Sequence, residues 1–270
     1  MTDVVGVVQH YILALLEEAG PGMKVMLLDS ETTPAVSLAF AQSALMRQEV
    51  FLFERLTARP VWEDMRYLKC VAILRPDPDI ISQLCSELAR PRYQSYFIYF
   101  TSILPKTAVK QLAEADMQEV VKEIKEVYTD FLPFAAHLFG LAISHPLQPL
   151  GSRWVEDSLA RSTSALISLL LSLKLSPVIR YQEGSGPASL LANNIKSTMA
   201  RESGLFGGGA GDTPVLMILD RREDPVTPLL SQWTYQAMVH QLIGINNNRV
   251  SLAAVPGVKK DLQEIMLNAS

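Results

Sequence analysis

The sequence predicts an α/β protein: two consecutive parallel-sheet units with helices on both faces, the second incomplete, and then the start of a helical domain. Two observations predict this architecture. Short apolar runs recur along the 270 residues without polar alternation, and helical patterns separate them; parallel strands covered on both faces have this form. Hydrophobic residues make up 49% of the chain and charged residues 19%, which is enough apolar material for real cores.

The first unit is expected at residues 1–132. Its opening helix, Val4 to Glu18, has apolar residues at helical spacing and stops at Gly20-Pro21-Gly22. The apolar run Lys24–Asp29 predicts a strand, and Thr33-Pro34 after it has the form of a capping residue followed by a first-turn proline. The other elements predicted here are strands at Val50–Phe53, Lys69–Leu74 and Tyr96–Phe100, helices from Pro60 and over Ile80–Leu88, and two helical stretches from Pro105 to about Thr129.

The second unit is expected at residues 133–250, with fewer strands. Its predicted elements are strands at His137–Ser144, Pro177–Tyr181 and Val215–Leu219, and helices at Leu159–Leu173, Ser189–Arg201 and Pro228–Ile243. Five glycines between Gly204 and Gly211 predict a loop. Residues 251–270 are expected to open a further, helical element.

Charge and cysteine usage narrow the class of partner. The net charge is −4, and no basic cluster is denser than Arg221–Arg222 or Lys259–Lys260, so nucleic acid is not an expected partner. Cys70 and Cys85 make no disulfide framework, which favours a reduced, cytosolic protein. The longest apolar stretch, Ala165–Leu173, is far shorter than the ~20 residues of a membrane span, so we expect membrane association only through partners.

The sequence offers no motif for catalysis, a cofactor or a metal. It has neither G-x-G-x-x-G nor G-x-x-x-x-G-K-[ST] after a strand, and no G-x-S-x-G. None of the four histidines has a second ligand at metal-binding spacing. The cluster Asp220, Glu223 and Asp224 suits either a divalent ion or a turn ordered by Asx-type hydrogen bonds before Pro228, and the turn is the simpler interpretation. We therefore expect no enzyme, no cofactor and no small-molecule substrate.

One long segment resembles a known family. Residues 218–240 read ILDRREDPVTPLLSQWTYQAMVH: a strand ending in L-D-R, a D-x-x-[ST]-P turn and a helix containing Q-A-M. This resembles the signature of the SM (Sec/Munc-like) family of SNARE regulators. Gly22–Val25, Tyr99–Thr101, Phe131–Pro133 and Ile179–Tyr181 match as well, and four further stretches are most similar to the family's endosomal branch: Val50–Arg55, Leu112–Asp116, Trp233–Leu242 and Gly244–Arg249.

The resemblance implies an organisation and a function. Residues 1–132 would be the family's domain one, 133–250 the first half of its domain two, and 251–270 the start of its helical domain three. The implied function is to bind a syntaxin-type SNARE and assembled SNARE complexes, and so to regulate vesicle docking and fusion in endosomal, Golgi and vacuolar transport. The implied location is cytoplasmic, peripheral to endosomal and trans-Golgi membranes through the SNARE partners.

The resemblance also implies site residues. The pocket for the syntaxin's N-terminal peptide is expected at Val109, Val121, Ile124 and Glu126, with Glu126 meeting a basic residue of the peptide. The cleft that holds SNARE helices is expected to include Asp29, Phe51, Phe53 and Arg55. The signature residues are expected to be mainly architectural, at the junction toward domain three: Asp220, Arg221, Asp224, Pro228, Trp233 and Gln236.

The residues by themselves support the peptide pocket only through a helical apolar stripe. That stripe, Met117 to Tyr128, is wider than one buried face needs, so one edge would be free for a partner; the alternative is that all of it is core. Two other functions stay open at this point. In the first alternative, the chain is a structural scaffold without binding of its own. In the second, it is an α/β nucleotide-binding enzyme whose loop motifs have drifted.

Overall fold

The computed structural model describes residues 3–57, 63–148, 153–155, 157–206, 213–246 and 248–267. Its α-helices are α1 (Val4–Glu18), α2 (Thr32–Ala39), α3 (Gln42–Met46), α4 (Pro78–Ala89), α5 (Lys106–Ala115), α6 (Ser158–Ser172), α7 (Gly186–Arg201) and α8 (Tyr235–Leu242). Its strands are β1 (Lys24–Leu28), β2 (Val50–Arg55), β3 (Met65–Leu74), β4 (Tyr93–Phe100), β5 (Val121–Glu126), β6 (Leu132–Ala135), β7 (Leu138–Gly140), β8 (Val178–Tyr181), β9 (Val215–Ile218), β10 (Arg249–Ser251) and β11 (Glu264–Met266).

A five-stranded parallel sheet with the order β2-β1-β3-β4-β5 organises the first unit. All five residues of β1 are buried, and alternate residues enter different cores. Val25 and Leu27 join the core that also contains residues of α4 and α5, whereas Met26 and Leu28 join the core of α1. The prediction of a parallel sheet with helices on both faces is confirmed.

The second unit packs onto the α1 side of this sheet. Helix α6 is buried along most of its length, and its Leu166, Ile167 and Leu170 belong to the same core cluster as the α1 residues. Ile195 of α7 completes that cluster. Strands β8 and β9 pair in parallel beside these helices. The two units therefore share one continuous hydrophobic core on this face.

The prediction of a second helical stretch up to Thr129 is wrong, because this segment forms strand β5. Tyr96 pairs with Val121 but Phe97 pairs with Glu123, so Lys122 is the extra residue of a β-bulge. The bulge turns Val121 and Ile124 to the same face, although they are three residues apart. This spacing imitates the period of a helix, which explains the wrong prediction.

Three other predictions need correction in the described residues. The Pro228–Ile243 helix is only a 3-10 turn at Thr227–Leu229 followed by α8, because Leu230 and Thr234 are extended. The expected helical opening after residue 250 is instead an antiparallel pair, β10–β11, with Gly257 at a φ of 85° between the strands. The single strand at His137–Ser144 is also wrong: Leu138–Gly140 pairs back onto β6 as a short antiparallel ladder. The start of the Pro60 helix and most of the Gly204–Gly211 loop lie outside the described residues.

Asp29 makes the central hydrogen bonds at the carboxyl edge of the sheet. The chain order reverses between β1 and β3, and in α/β folds such a switch point is where ligands commonly bind. In this protein the buried Asp29 carboxylate lies at the switch point. It accepts hydrogen bonds from the backbone N–H groups of Glu31, Thr32 and Arg75, at 2.8, 2.8 and 2.6 Å. The side chain thus ties the end of β1 to the start of α2 and to the residue after β3.

We predict that Asp29→Ala lowers the free energy of unfolding by roughly 3 kcal/mol, because buried backbone donors lose their acceptor. Urea denaturation followed by circular dichroism measures the change. Asp29→Asn, which keeps one carbonyl oxygen, is the matched control and is expected to lose less. Equal unfolding midpoints for the wild type and Asp29→Ala would contradict this role.

Candidate functional site

The predicted peptide pocket lies at the β5 edge of the sheet, beside α5. Val121, Ile124 and Glu126 are half-buried and face the same side of the sheet, since they pair with Tyr96, Ile98 and Phe100 of β4. Helix α5 covers that side through Ala108 and Leu112. Val109 of α5 is 43% exposed. The fold therefore gathers the three strand residues on one face of the sheet and leaves Val109 of α5 in solvent.

Glu126 makes contacts within the chain with both of its carboxylate oxygens. Its Oε1 atom accepts a hydrogen bond from the backbone N–H of Leu104 at 2.7 Å, and its Oε2 atom accepts one from the Tyr128 hydroxyl at 2.7 Å. Burial of Tyr128, and then its bond to this carboxylate, raise the pKa of the tyrosine. Glu126 thus anchors the loop that leads into α5, a role that the sequence did not indicate.

The predicted cleft residues lie at the opposite edge of the sheet, with one exception. Strand β2 is the other edge strand, and Phe51 is the extra residue of a bulge there, because Lys24 pairs with Val50 and Val25 with Leu52. Phe51 is 55% exposed. Phe53 is half-buried against the α1-side core, and Arg55 is exposed. The exception is Asp29, which is buried at the end of β1, and its part in the cleft stays a prediction.

The signature segment divides into a bonded half and an exposed half. Asp220 accepts hydrogen bonds from the Arg222 guanidinium and from the hydroxyl of Ser185, which caps α7. These contacts lower the pKa of Asp220. Asp224 accepts a hydrogen bond from the backbone N–H of Thr227 and pairs with Arg221. The predicted Asx-type turn is therefore confirmed, with Pro228 inside the 3-10 turn that follows it.

The later signature residues face solvent. Trp233 is 92% exposed, and Gln236 on α8 is exposed as well. Large apolar side chains around them are also in solvent: Leu219, Val226, Leu229, Leu230, Tyr235, Leu242 and Ile243. We call these residues, together with Trp233, the apolar band; exposed apolar side chains in such number are typical of a surface that another part of a protein covers. The architectural role of Trp233 and Gln236 stays a prediction.

A cleft of about 700 Å³ lies between the carboxyl end of the sheet and α6. Asp130, in the connection between the units, and Arg161 of α6 both line it. Arg161 Nη1 donates to Asp130 Oδ2 at 2.7 Å, and the Asp130 side chain is 5% exposed. Burial raises the pKa of Asp130 to about 7, although Arg161 and Arg75 oppose the shift, and burial lowers the pKa of Arg161. This buried pair fastens one unit to the other.

The described part of the chain contains no group of three or more histidine, cysteine, aspartate or glutamate side chains placed to hold a metal ion. Within the same residues, no helix is long and apolar enough to cross a membrane.

The fold and the arrangement of its edges define a Sec1-family protein. A model of the Sec1 family matches residues 24–270, so the chain belongs to this family, and the resemblance of its signature segment to the SM proteins is confirmed. Proteins of this family are SNARE regulators.

The relatives that the chain resembles include several vacuolar protein sorting-associated proteins 45. It is 48% identical to that of Rattus norvegicus over 99% of this chain and 46% of the relative, and 39% identical to that of Saccharomyces cerevisiae over 92% and 43%. A solved structure of the SM protein Vps45 matches with a TM-score of 0.93 at 43% identity, over 99% of this chain and 51% of that one. Vps45 in complex with the Qa SNARE Tlg2 matches with a TM-score of 0.93 at 44% identity, over 98% and 48%. The chain thus spans about half the length of the relatives it matches.

We predict a pH-dependent contribution of Asp130 to stability. Because its pKa is raised in the folded state, this side chain stabilises the fold most below pH 4, and the contribution falls as the pH rises toward 7. The upper bound of the loss is roughly 4 kcal/mol. Chemical denaturation of the wild type and of Asp130→Asn from pH 4.5 to 8 gives the difference between their free energies of unfolding. The change of this difference with pH measures the contribution of Asp130. Parallel stability curves for the two proteins would contradict the prediction.

Proposed function

We propose that this chain binds a syntaxin-type SNARE and contributes to the regulation of vesicle docking and fusion in endosomal, Golgi and vacuolar protein transport. The observation that carries this proposal is the match to Vps45 bound to the Qa SNARE Tlg2, at 44% identity over 98% of the chain. At a TM-score of 0.93 the two backbones follow the same course. The chain therefore shares the backbone of about half of that SNARE-bound relative, which supports the proposal.

The peptide-binding part of the proposal rests on the α5–β5 face. Val109 of α5 presents an exposed apolar side chain, and Val121 and Ile124 of β5 are half-buried against the core that α5 also joins. Such a surface suits an apolar anchor residue of a short peptide, whose burial would be the main gain in free energy. Glu126 supports this face by anchoring Leu104 before α5, and its carboxylate is already bonded within the chain.

The second binding surface in the proposal is the β2 edge, with Phe51, Phe53 and Arg55. It lies at the far side of the sheet from β5, so the two surfaces are independent contact points for one long partner. An exposed aromatic residue on a bulge and a neighbouring cation suit the apolar and acidic side chains of a SNARE helix or an assembled SNARE complex.

The same proposal covers organisation and location. Residues 1–132 correspond to domain one, 133–250 to the first half of domain two and 251–270 to the beginning of domain three. The protein would act in the cytoplasm, at endosomal and trans-Golgi membranes, held there by its SNARE partners. It would act by binding, without catalysis.

We predict that a fluorescent N-terminal peptide of a syntaxin-type SNARE binds this chain with a dissociation constant of about 1 μM or tighter, roughly −8 kcal/mol. Val109→Arg should cost roughly 2–4 kcal/mol, because the complex would bury an unpaired cation. Fluorescence anisotropy measures both values. Val109 is exposed in the free chain, so its replacement should leave the fold intact.

The matched control is Leu190→Arg on α7, an apolar residue of similar exposure (46%) in the second unit. It should bind the peptide as the wild type does. Equal binding by Val109→Arg and the wild type would place the peptide elsewhere. No binding by a folded wild-type chain would count against peptide recognition altogether.

The exposed apolar band favours a second candidate, a scaffold that binds nothing by itself. Trp233, Leu229 and Tyr235 are more than four-fifths exposed, and the strands β8 and β9 pair only with each other in the described residues. In this view the band needs a cover before the chain can function.

We predict that this band makes the chain associate with itself in a concentration-dependent way, because burying it removes apolar surface from water. Light scattering coupled to gel filtration measures the mass. Leu229→Ser combined with Trp233→Ser should lower the association, whereas Leu138→Ser, an exposed site outside the band, should not. Self-association together with absent peptide binding would favour the scaffold over the SNARE-binding function.

A further inference from the structure

A buried cluster of charged side chains links the β2 edge to the interior of the first unit. Arg92 lies between α4 and β4, and its side chain is 4% exposed. Its Nε atom donates to the two carboxylate oxygens of Glu87, at 3.0 and 3.1 Å. Its Nη1 atom donates to Glu54 Oε2 at 2.8 Å. One guanidinium therefore bridges a helix residue and a residue of the edge strand.

Several contacts fix the Glu87 end of this cluster. The Tyr96 hydroxyl donates to Glu87 Oε1 at 2.7 Å and accepts the backbone N–H of Arg92 at 3.0 Å. The Arg92 guanidinium also lies over the ring of Tyr93, 5.1 Å from its centroid. Burial disfavours the charge of Arg92, but the bond to Glu87 and the two nearby carboxylates outweigh it and raise its pKa. The guanidinium is thus a fixed, charged anchor.

The Glu54 end lies on the edge strand β2, whose Val50, Leu52 and Phe53 pack against the two cores. Among the described residues, strand β2 pairs with β1 along one side only, and it is bulged at Phe51. Glu54 is 23% exposed and stands between Phe53 and Arg55, which face the other side of the sheet. The contact with Arg92 fixes the orientation of the strand at the position from which these two side chains project.

We propose that Arg92 and Glu54 are positioning residues for the partner-binding edge of the sheet: the guanidinium holds β2 so that Phe53 and Arg55 meet the partner in register. This inference rests on the proposed SNARE-binding function of that edge. It assigns Glu54 an indirect role, through its ion pair, and not a contact with the partner.

The test uses two ligands that engage opposite edges. One is the N-terminal peptide of a syntaxin-type SNARE, expected at β5, and the other is the same SNARE's cytosolic region without that peptide, expected at β2. Glu54→Gln removes the charge of the strand residue. Arg92→Lys keeps a cation but loses the fork that reaches both carboxylates. We expect each variant to bind the SNARE region about tenfold more weakly and the peptide as the wild type does.

The double variant decides how the two residues act. If they work as one pair, combining them should cost little more than either alone. A loss in Glu54→Gln with normal binding by Arg92→Lys would show that Glu54 touches the partner directly, which overturns the proposal. Equal losses for both ligands would show general destabilisation, and no loss for either ligand would show that the pair positions nothing; both overturn it too.

A ligand-free measurement separates this inference from the proposed function. Hydrogen exchange of the β2 amides, Val50 to Arg55, should become about tenfold faster in Arg92→Lys while β5 exchange stays unchanged. Unchanged β2 exchange would overturn the positioning role even in a chain that binds no SNARE. Faster β2 exchange together with absent wild-type binding of the SNARE region would instead leave the positioning of the strand supported and reject the function assigned to that edge.

Discussion

The central strands of the sheet, β1 and β3, are buried on both faces of the sheet, and the rest of the structure depends on this constraint. Every residue of β1 is buried, as are the last five residues of β3, so both faces of the sheet's centre are occupied by helices. Phe51 is an exposed apolar residue of the outer strand β2, and Val109 is one on α5, the helix that precedes the outer strand β5.

Both edge strands contain a β-bulge. Phe51 in β2 and Lys122 in β5 are each the extra residue of a bulge next to the strand's start. A bulge breaks the regular ladder of an edge, which discourages pairing with a foreign strand, and it re-aims the side chains that follow. In β5 it brings Val121 and Ile124 to one face; in β2 it releases Phe51 into solvent.

Three buried charged groups tie distant elements of the fold together. Asp29 occupies the switch point of the sheet with three backbone hydrogen bonds, Arg92 joins Glu87 to Glu54, and Asp130 pairs with Arg161 across the two units. Each group would be costly to bury alone, so each requires its partner in a defined place. The amides that Asp29 bonds are thereby already engaged, in a position where other α/β proteins commonly bind ligands.

The sequence by itself determined the alternation of strands and helices, the parallel sheet, the Asx-type turn at Asp224 and, through the signature around Asp220, the family. These follow from local apolar periodicity and hydrogen bonding between near neighbours. Tertiary structure decided the rest. Strand pairing made residues 121–126 a bulged strand, since β4 supplies the partner that a helix would not need. Packing enclosed Asp29, set Glu126 on Leu104 and joined Arg92 to Glu54, 38 residues away, because contacts between distant segments leave no pattern in the local sequence.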